Sequence, residues 1–181
     1  PAARAFVAPR ELPVYGKQLF RQSVKGANAP DAKVAGHTVH EDDSVRLWTL
    51  DGRGVDDVLV MSIKTKVHAI GPGVIEGLLK GLEIAERQYK GLVVWSPDEP
   101  FSYGADVQAM VPAFMQGGPK AIAELVKGLQ DAMLRLRYAQ VPTIAAVSGI
   151  ALGGGLELAL YCSRRVVALE SYMGLPEIGL G

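Results

Sequence analysis

Ile144–Leu158 reads Ile-Ala-Ala-Val-Ser-Gly-Ile-Ala-Leu-Gly-Gly-Gly-Leu-Glu-Leu, and its reading decides the fold. Ile144–Val147 is a run of small or branched apolar residues, as in a strand covered on both faces. Gly149 and the run Gly153-Gly154-Gly155 break it, and Leu156–Cys162 reads as the first turns of a helix. Glycines at a helix mouth leave backbone N–H groups unshielded, and the helix dipole adds partial positive charge there. Such a turn suits a group that carries or develops negative charge. Glu157 adds a carboxylate inside the first helical turn. The same features also serve close strand–helix packing and a complemented dipole, and the stretch alone leaves both readings open. Nucleotide loops of two common kinds are set aside, because the spacing is neither Gly-x-x-x-x-Gly-Lys-Ser/Thr nor Gly-x-Gly-x-x-Gly.

Upstream, the same alternation of strand and helix recurs. Val45–Leu50 and Val58–Ile63 read as two strands joined by the turn residues Asp51-Gly52-Arg53-Gly54. Gly71-Pro72-Gly73 opens a helix to about Tyr89, with Val74, Ile75, Leu78, Leu79, Leu82 and Ala85 on one face. Leu92–Trp95 is a second buried strand, and the β-α-β order implies a right-handed crossover between parallel strands. A turn-rich loop, Ser96–Ala105, leads to Asp106, a helix N-cap candidate for a helix to about Met115. Gly117-Gly118-Pro119 separates it from a helix over Lys120–Ala139. Downstream of the glycine helix, Arg165–Leu169 is a further strand. The class is α/β.

Residues 1–43 lack periodicity and carry four prolines, so a linker or extended arm is expected there, with a short helix near Pro13–Phe20 and the ordered core over 44–181. Charge is balanced at 19 basic and 19 acidic residues, which argues against a nucleic-acid or anionic-membrane partner. The single cysteine, Cys162, cannot form an intrachain disulfide and reads as a buried core residue. His37 and His40 form no metal-ligand set and read as exposed. No run of 18 apolar residues and no signal peptide is seen, so a cytoplasmic protein is expected. The start at Pro1 suggests a piece of a longer chain.

Three segments converge on the C-terminal ends of strands, where open α/β sheets place ligands. They are Phe101-Ser102-Tyr103-Gly104-Ala105-Asp106, Gly153-Gly154-Gly155-Leu156-Glu157 and Pro176-Glu177. Together they resemble the crotonase (enoyl-CoA hydratase/isomerase) superfamily. Its Phe-Ser-x-Gly-Ala-Asp loop matches residues 101–106, its Ala-Ala-Val-x-Gly-x-Ala-x-Gly-Gly-Gly-x-Glu-Leu-Ala signature matches Ala145–Ala159, and its Pro-Glu-Ile-x-Leu-Gly segment matches Pro176–Gly181. The resemblance covers about Val45 to the end.

The resemblance implies a crotonase-like fold of repeated ββα units, with the C-terminal helical part absent at Gly181. It implies an oxyanion hole from the N–H groups of Ala105 and Gly154, holding the thioester carbonyl of an acyl-CoA. Glu157 and Glu177 match the pair that activates water for addition to a trans-2-enoyl thioester in fatty-acid β-oxidation. Substrate contacts are expected at Gly104, Asp106, Gly153 and Ala69, which matches the family alanine beside the CoA adenine. Tyr103 stands where the family usually has a small residue. Lys64–Ile70 replaces the usual Arg-Pro-x-x-x-Asn-Ala-Leu turn, so Lys64, Lys66 or His68 is expected toward the CoA phosphates, or else as a solvated basic turn. Coenzyme A enters as part of the substrate, with no bound cofactor and no metal. The expected assembly is a trimer-based homo-oligomer or part of a multifunctional chain. Alternatives are an enoyl-CoA isomerase, or an acyl-CoA-binding crotonase domain of a 3-hydroxyacyl-CoA dehydrogenase multifunctional protein.

Overall fold

In the computed structural model, which describes residues 36–50 and 54–179, the apolar runs read from the sequence become the middle of one six-stranded sheet. The strands of this sheet are β1 (Gly36–Glu41), β2 (Val45–Leu50), β3 (Val58–Ile63), β4 (Gly91–Val94), β5 (Thr143–Val147) and β7 (Arg164–Val167). They lie in that order across the sheet. The first three are antiparallel, and β3, β4, β5 and β7 run parallel, as helical crossovers require. The strand expected at Arg165–Leu169 thus begins one residue earlier and ends two earlier. A strand already stands at Gly36–Glu41, upstream of Val45, so the last part of the expected arm is a strand. Arg46 draws Gly36–Glu41 onto the sheet, with Nε donating to Thr38 Oγ1 at 2.9 Å and Nη2 donating to the Gly36 carbonyl at 3.3 Å. The rest of the arm, with the expected helix near Pro13–Phe20, lies outside the described residues.

Helix α1 (Pro72–Gln88) packs on the sheet through Val74, Gly77, Leu78, Gly81, Leu82 and Ala85. The glycines bring it close: a Cβ on Gly77 would overlap the Val45 side chain, and one on Gly81 would sit 3.1 Å from Leu47. The buried stripe is turned away from Leu79, which is 40% exposed. Glu83 and Arg87 pair at 2.7 Å on the outer face, as their i,i+4 spacing predicts. Lys80, on the same helix, approaches His40 at 3.1 Å.

The two helices expected around Gly117-Gly118-Pro119 are present and are labelled together as α2 (Val107–Arg137), separated by a kink at Gly118. There φ is 61° and ψ is −157°, a conformation essentially confined to glycine. Pro119 then restarts the helix where a missing N–H costs nothing.

A second, two-stranded sheet was not foreseen: β6 (Ile150–Leu152) pairs in parallel with β8 (Tyr172–Gly174). Three-residue strands are too short for a period to register. Single bridges extend this layer, Ser102 to Ala151 and Ile70 to Ala105. β3, β4 and β5 are therefore each followed by a short pairing and then a helix. β5, β6 and α3 (Gly154–Tyr161) form one such unit; β4, Ser102 and α2 form another; β3, Ile70 and α1 form a third. This is the repeated ββα architecture expected. The core between sheet and helices holds Leu47, Leu59, Met61, Leu82, Leu92 and Leu136, each fully buried.

Candidate active site

The short pairings bring three sequence segments to one place. Loop 100–106 is stitched on one side to β6, with the Ser102 N–H donating to the Ile150 carbonyl and the Leu152 N–H donating to the Ser102 carbonyl, both at 3.0 Å. On its other side the Ile70 N–H donates to the Gly104 carbonyl at 2.7 Å, and the Asp106 N–H donates to the Ile70 carbonyl at 3.0 Å. Phe101, 4% exposed, anchors the loop in the core.

Glycine is required where the loop meets the mouth of α3. Gly104 has φ 98°, and a Cβ there would stand 2.8 Å from the Leu152 carbonyl oxygen and 3.0 Å from the Gly154 nitrogen. Gly153 has φ 48°, and a Cβ there would overlap the Glu177 carboxylate. At Gly155 a Cβ would meet the Ser102 carbonyl oxygen at 2.7 Å. The glycine run is thus a packing device for the loop and for a carboxylate at once.

The Ala105 nitrogen lies 3.3 Å from where a Cβ on Gly154 would stand, and Glu157 Oε2 lies 3.8 Å from that point. Among the described residues neither the Ala105 N–H nor the Gly154 N–H meets a protein acceptor, although the flanking amides of Tyr103, Gly104 and Asp106 all do. Gly154 is the first residue of α3, so its N–H has no intrahelical partner and lies at the positive end of the dipole. Two N–H groups and the carboxylates of Glu157 and Glu177 therefore gather around Gly153 and Gly154. Both glutamates are exposed, while Gly153, Gly154 and Gly155 are buried.

A cleft of about 280 Å³ opens beside Ala105, lined by Lys66, Ala69, Tyr103, Asp106 and Gln108 among others. Lys66 is exposed at its rim, and Tyr103 is 45% exposed. Lys64 is drawn elsewhere, its ammonium 3.0 Å from Glu41 and bonded to the Asp42 carbonyl. His68 does not join Lys66 at the cleft. It is 5% exposed, and its Nδ1 lies 2.5 Å from the Pro100 carbonyl oxygen.

Ser102 carried no role in the sequence reading, yet its fully buried hydroxyl donates to the His68 carbonyl at 2.6 Å and accepts from the Gly104 N–H at 3.0 Å. The signal was present: serine two residues before a turn glycine is a hydroxyl-capped turn. Among the described residues, no group of three or more His, Cys, Asp or Glu side chains is placed to hold a metal ion, and no helix is long and apolar enough to cross a membrane.

Comparison with known proteins follows the same lines. The family model described as enoyl-CoA hydratase/isomerase matches residues 55–181. A probable 3-hydroxyacyl-CoA dehydrogenase of Bacillus subtilis is 36% identical over 126 residues, 70% of this chain and 16% of that protein. The peroxisomal bifunctional enzyme of Cavia porcellus is 38% identical over 117 residues, 64% of this chain and 15% of that protein. An enoyl-CoA hydratase/isomerase structure from Xanthobacter autotrophicus Py2 superposes with a TM-score of 0.65 at 26% identity, over 76% of this chain and 51% of that one. The chain thus spans about one sixth of these curated relatives and about half of the solved structure.

Proposed function

Because the chain belongs to the enoyl-CoA hydratase/isomerase family, we propose that it is a hydratase module adding water to trans-2-enoyl-CoA thioesters in fatty-acid β-oxidation. One observation carries the reading. Both the Glu157 and the Glu177 carboxylates stand against the Gly153–Gly154 pair, next to the two N–H groups of Ala105 and Gly154 that have no acceptor of their own among the described residues.

In this reading the two N–H groups donate to the thioester carbonyl oxygen. A water held by the two glutamates loses a proton to one carboxylate as its oxygen bonds the β-carbon. The electron pair of the C=C bond moves toward the carbonyl, which becomes an enolate held by the two donors. The proton taken from the water then passes to the α-carbon, directly or by way of the second carboxylate, so that both glutamates end as they began. Donors fixed by a helix mouth and a stitched loop need no reorganisation as charge develops, and loss of one such donor typically costs about 3 kcal/mol. Coenzyme A is part of the substrate, and the chemistry calls for no further cofactor. The cleft beside Ala105, with Lys66 at its rim and Ala69, Tyr103, Gly104 and Asp106 close by, suits the CoA portion.

The module spans Gly36 onward, within a multifunctional chain or an oligomer acting in the cytoplasm. Support for the multifunctional context comes from the relatives named as a dehydrogenase and a bifunctional enzyme, of which this chain matches about one sixth. The test is crotonyl-CoA hydration by the full-length protein. Glu157→Gln and Glu177→Gln should each lower kcat by about 10²-fold or more, since Gln keeps the shape but cannot take the proton. Affinity for a non-reactive acyl-CoA should change little. Unchanged kcat with a lowered Tm would make both glutamates structural and end the hydratase reading.

A further inference from the structure

We propose that His68 is a positioning residue for this site: its buried imidazole holds loop 100–106, and with it the Ala105 N–H, in register with Gly154. The proposal rests on the reading of those two N–H groups as the anion-holding pair.

His68 reaches the loop by three routes. A carbonyl oxygen can only accept, so Nδ1, 2.5 Å from the Pro100 oxygen, is the protonated nitrogen and donates. Nε2 on the far side of the ring faces Asp98 Oδ2 at 3.5 Å, on the segment that enters the loop. The His68 carbonyl accepts the Ser102 hydroxyl at 2.6 Å, and the same hydroxyl oxygen accepts the Gly104 N–H at 3.0 Å. One hydroxyl therefore connects the His68 main chain to the residue that immediately precedes Ala105. The neighbouring Val67 carbonyl adds a bond from the Tyr103 N–H at 3.2 Å.

A histidine satisfied in a core is common, and two features set this one apart. Its ring makes its polar contacts with the loop that carries Ala105. Its backbone, like that of Val67, has φ 51°. That left-handed conformation is unusual for any L residue and most of all for a β-branched one. Such a conformation persists only where the surroundings over-determine it. Here both carbonyls and the imidazole are directed at the loop together, and Gly155 leaves no space for Ser102 to retreat into, since a Cβ there would already touch it.

The experiment uses the full-length protein, crotonyl-CoA kinetics and amide hydrogen exchange at Tyr103, Gly104 and Asp106. His68→Gly tolerates the left-handed backbone but removes the ring. His68→Asn tolerates it too and offers an amide donor near the position of Nδ1. His68→Gly should lower kcat by about 10- to 100-fold, the scale of a small misplacement of catalytic groups. KM should stay within about threefold, as expected when transition-state rather than ground-state contacts are lost. Exchange at the three amides should accelerate, and His68→Asn should restore most of both. Wild-type kcat and unchanged exchange in His68→Gly would overturn the proposal, as would a His68→Asn enzyme no better than His68→Gly. If His68→Gly does not fold, His68→Gln decides: its amide sits near the position of Nε2, so it should fall below His68→Asn, and equal rates overturn the role. The exchange readout needs no turnover. A wild-type protein that does not hydrate crotonyl-CoA but shows the expected exchange pattern removes the hydratase reading and leaves the positioning role standing.

Discussion

Gly154 concentrates the local chemistry in one missing methyl. Its N–H is the first of α3, and a Cβ there would stand 3.3 Å from the Ala105 nitrogen, inside the space an anion would need. Gly154→Ala should therefore lower kcat for crotonyl-CoA by about 10²-fold or more, the scale for loss of an oxyanion donor. Tm should hold or rise slightly, because alanine is the better helix former by up to about 1 kcal/mol. Steady-state kinetics beside a thermal melt separates the two effects, and an unaltered kcat would remove Gly154 from the site. Cys162 is the opposite kind of residue. It is 3% exposed, and burial pushes its thiol up to about 12. Thiol reagents at pH 8 should leave it untouched in the native protein and modify it in denaturant, because the thiolate is the reactive form. Rapid native labelling would show that the segment after α3 opens.

Between the helices, the clamp to test is Glu86 on α1 against Arg135 on α2. The two meet in a bidentate pair at 2.8 and 2.5 Å, and Glu86 also accepts the Gln140 N–H at 2.8 Å, so one carboxylate secures the end of α2 and the approach to β5. The Arg135 guanidinium, and then the Gln140 N–H, hold the Glu86 carboxyl below the usual carboxylate range. A carboxylate whose folded pKa is depressed contributes stability above its unfolded pKa of about 4.3 and loses it as pH falls through the lower folded value. Glu86→Gln should cost about 0.5–1 kcal/mol at pH 7 after allowance for the 40% exposed Arg135 side chain. At this chain length that is a Tm loss of roughly 1–4 °C, shrinking toward zero in melts near pH 3. A pH-independent difference between variant and wild type would contradict it. The kink in α2 was legible in the sequence. Gly117-Gly118-Pro119 announced an interruption, and it falls at Gly118, while the direction in which the second helix continues depends on the backbone angles there and on what α2 meets at α1.

Across the whole molecule, the large sheet ends on β7 with its residues exposed: Val166 is 65% exposed, Val167 43%, and Leu169 just beyond 67%. An apolar edge strand with open backbone groups is a template for pairing. The 181-residue chain alone should therefore self-associate at micromolar concentration, and Val166→Lys should shift it toward monomer in sedimentation velocity. Sedimentation unchanged by the lysine would mean that association, if any, uses another surface. The same scale bears on the chemistry, since Glu157 and Glu177 are both exposed in this chain while the glycines beneath them are buried. A dry setting for the two carboxylates would have to come from groups packed over them.

What the sequence by itself determined was everything with a period or a short signature. The continuous apolar runs at Val58–Ile63 and Thr143–Val147 could be satisfied only inside a covered parallel sheet, and the stripe through Val74, Leu78, Leu82 and Ala85 could only face it. The glycines of residues 153–155 announced either a close backbone approach or a place for negative charge, and the structure shows the close approach at Gly153 and Gly155. Tertiary structure alone decided the rest. The β6–β8 pairing and the bridges at Ile70 and Ser102 involve one to three residues each and have no local pattern, yet they carry the Ala105 and Gly154 N–H groups to one corner. The direction of His68 likewise depends on the Pro100 carbonyl, 32 positions away in the chain. A basic turn reads the same whether its histidine faces water or the core, because a hydrogen bond to a distant carbonyl leaves no trace in the neighbouring residues.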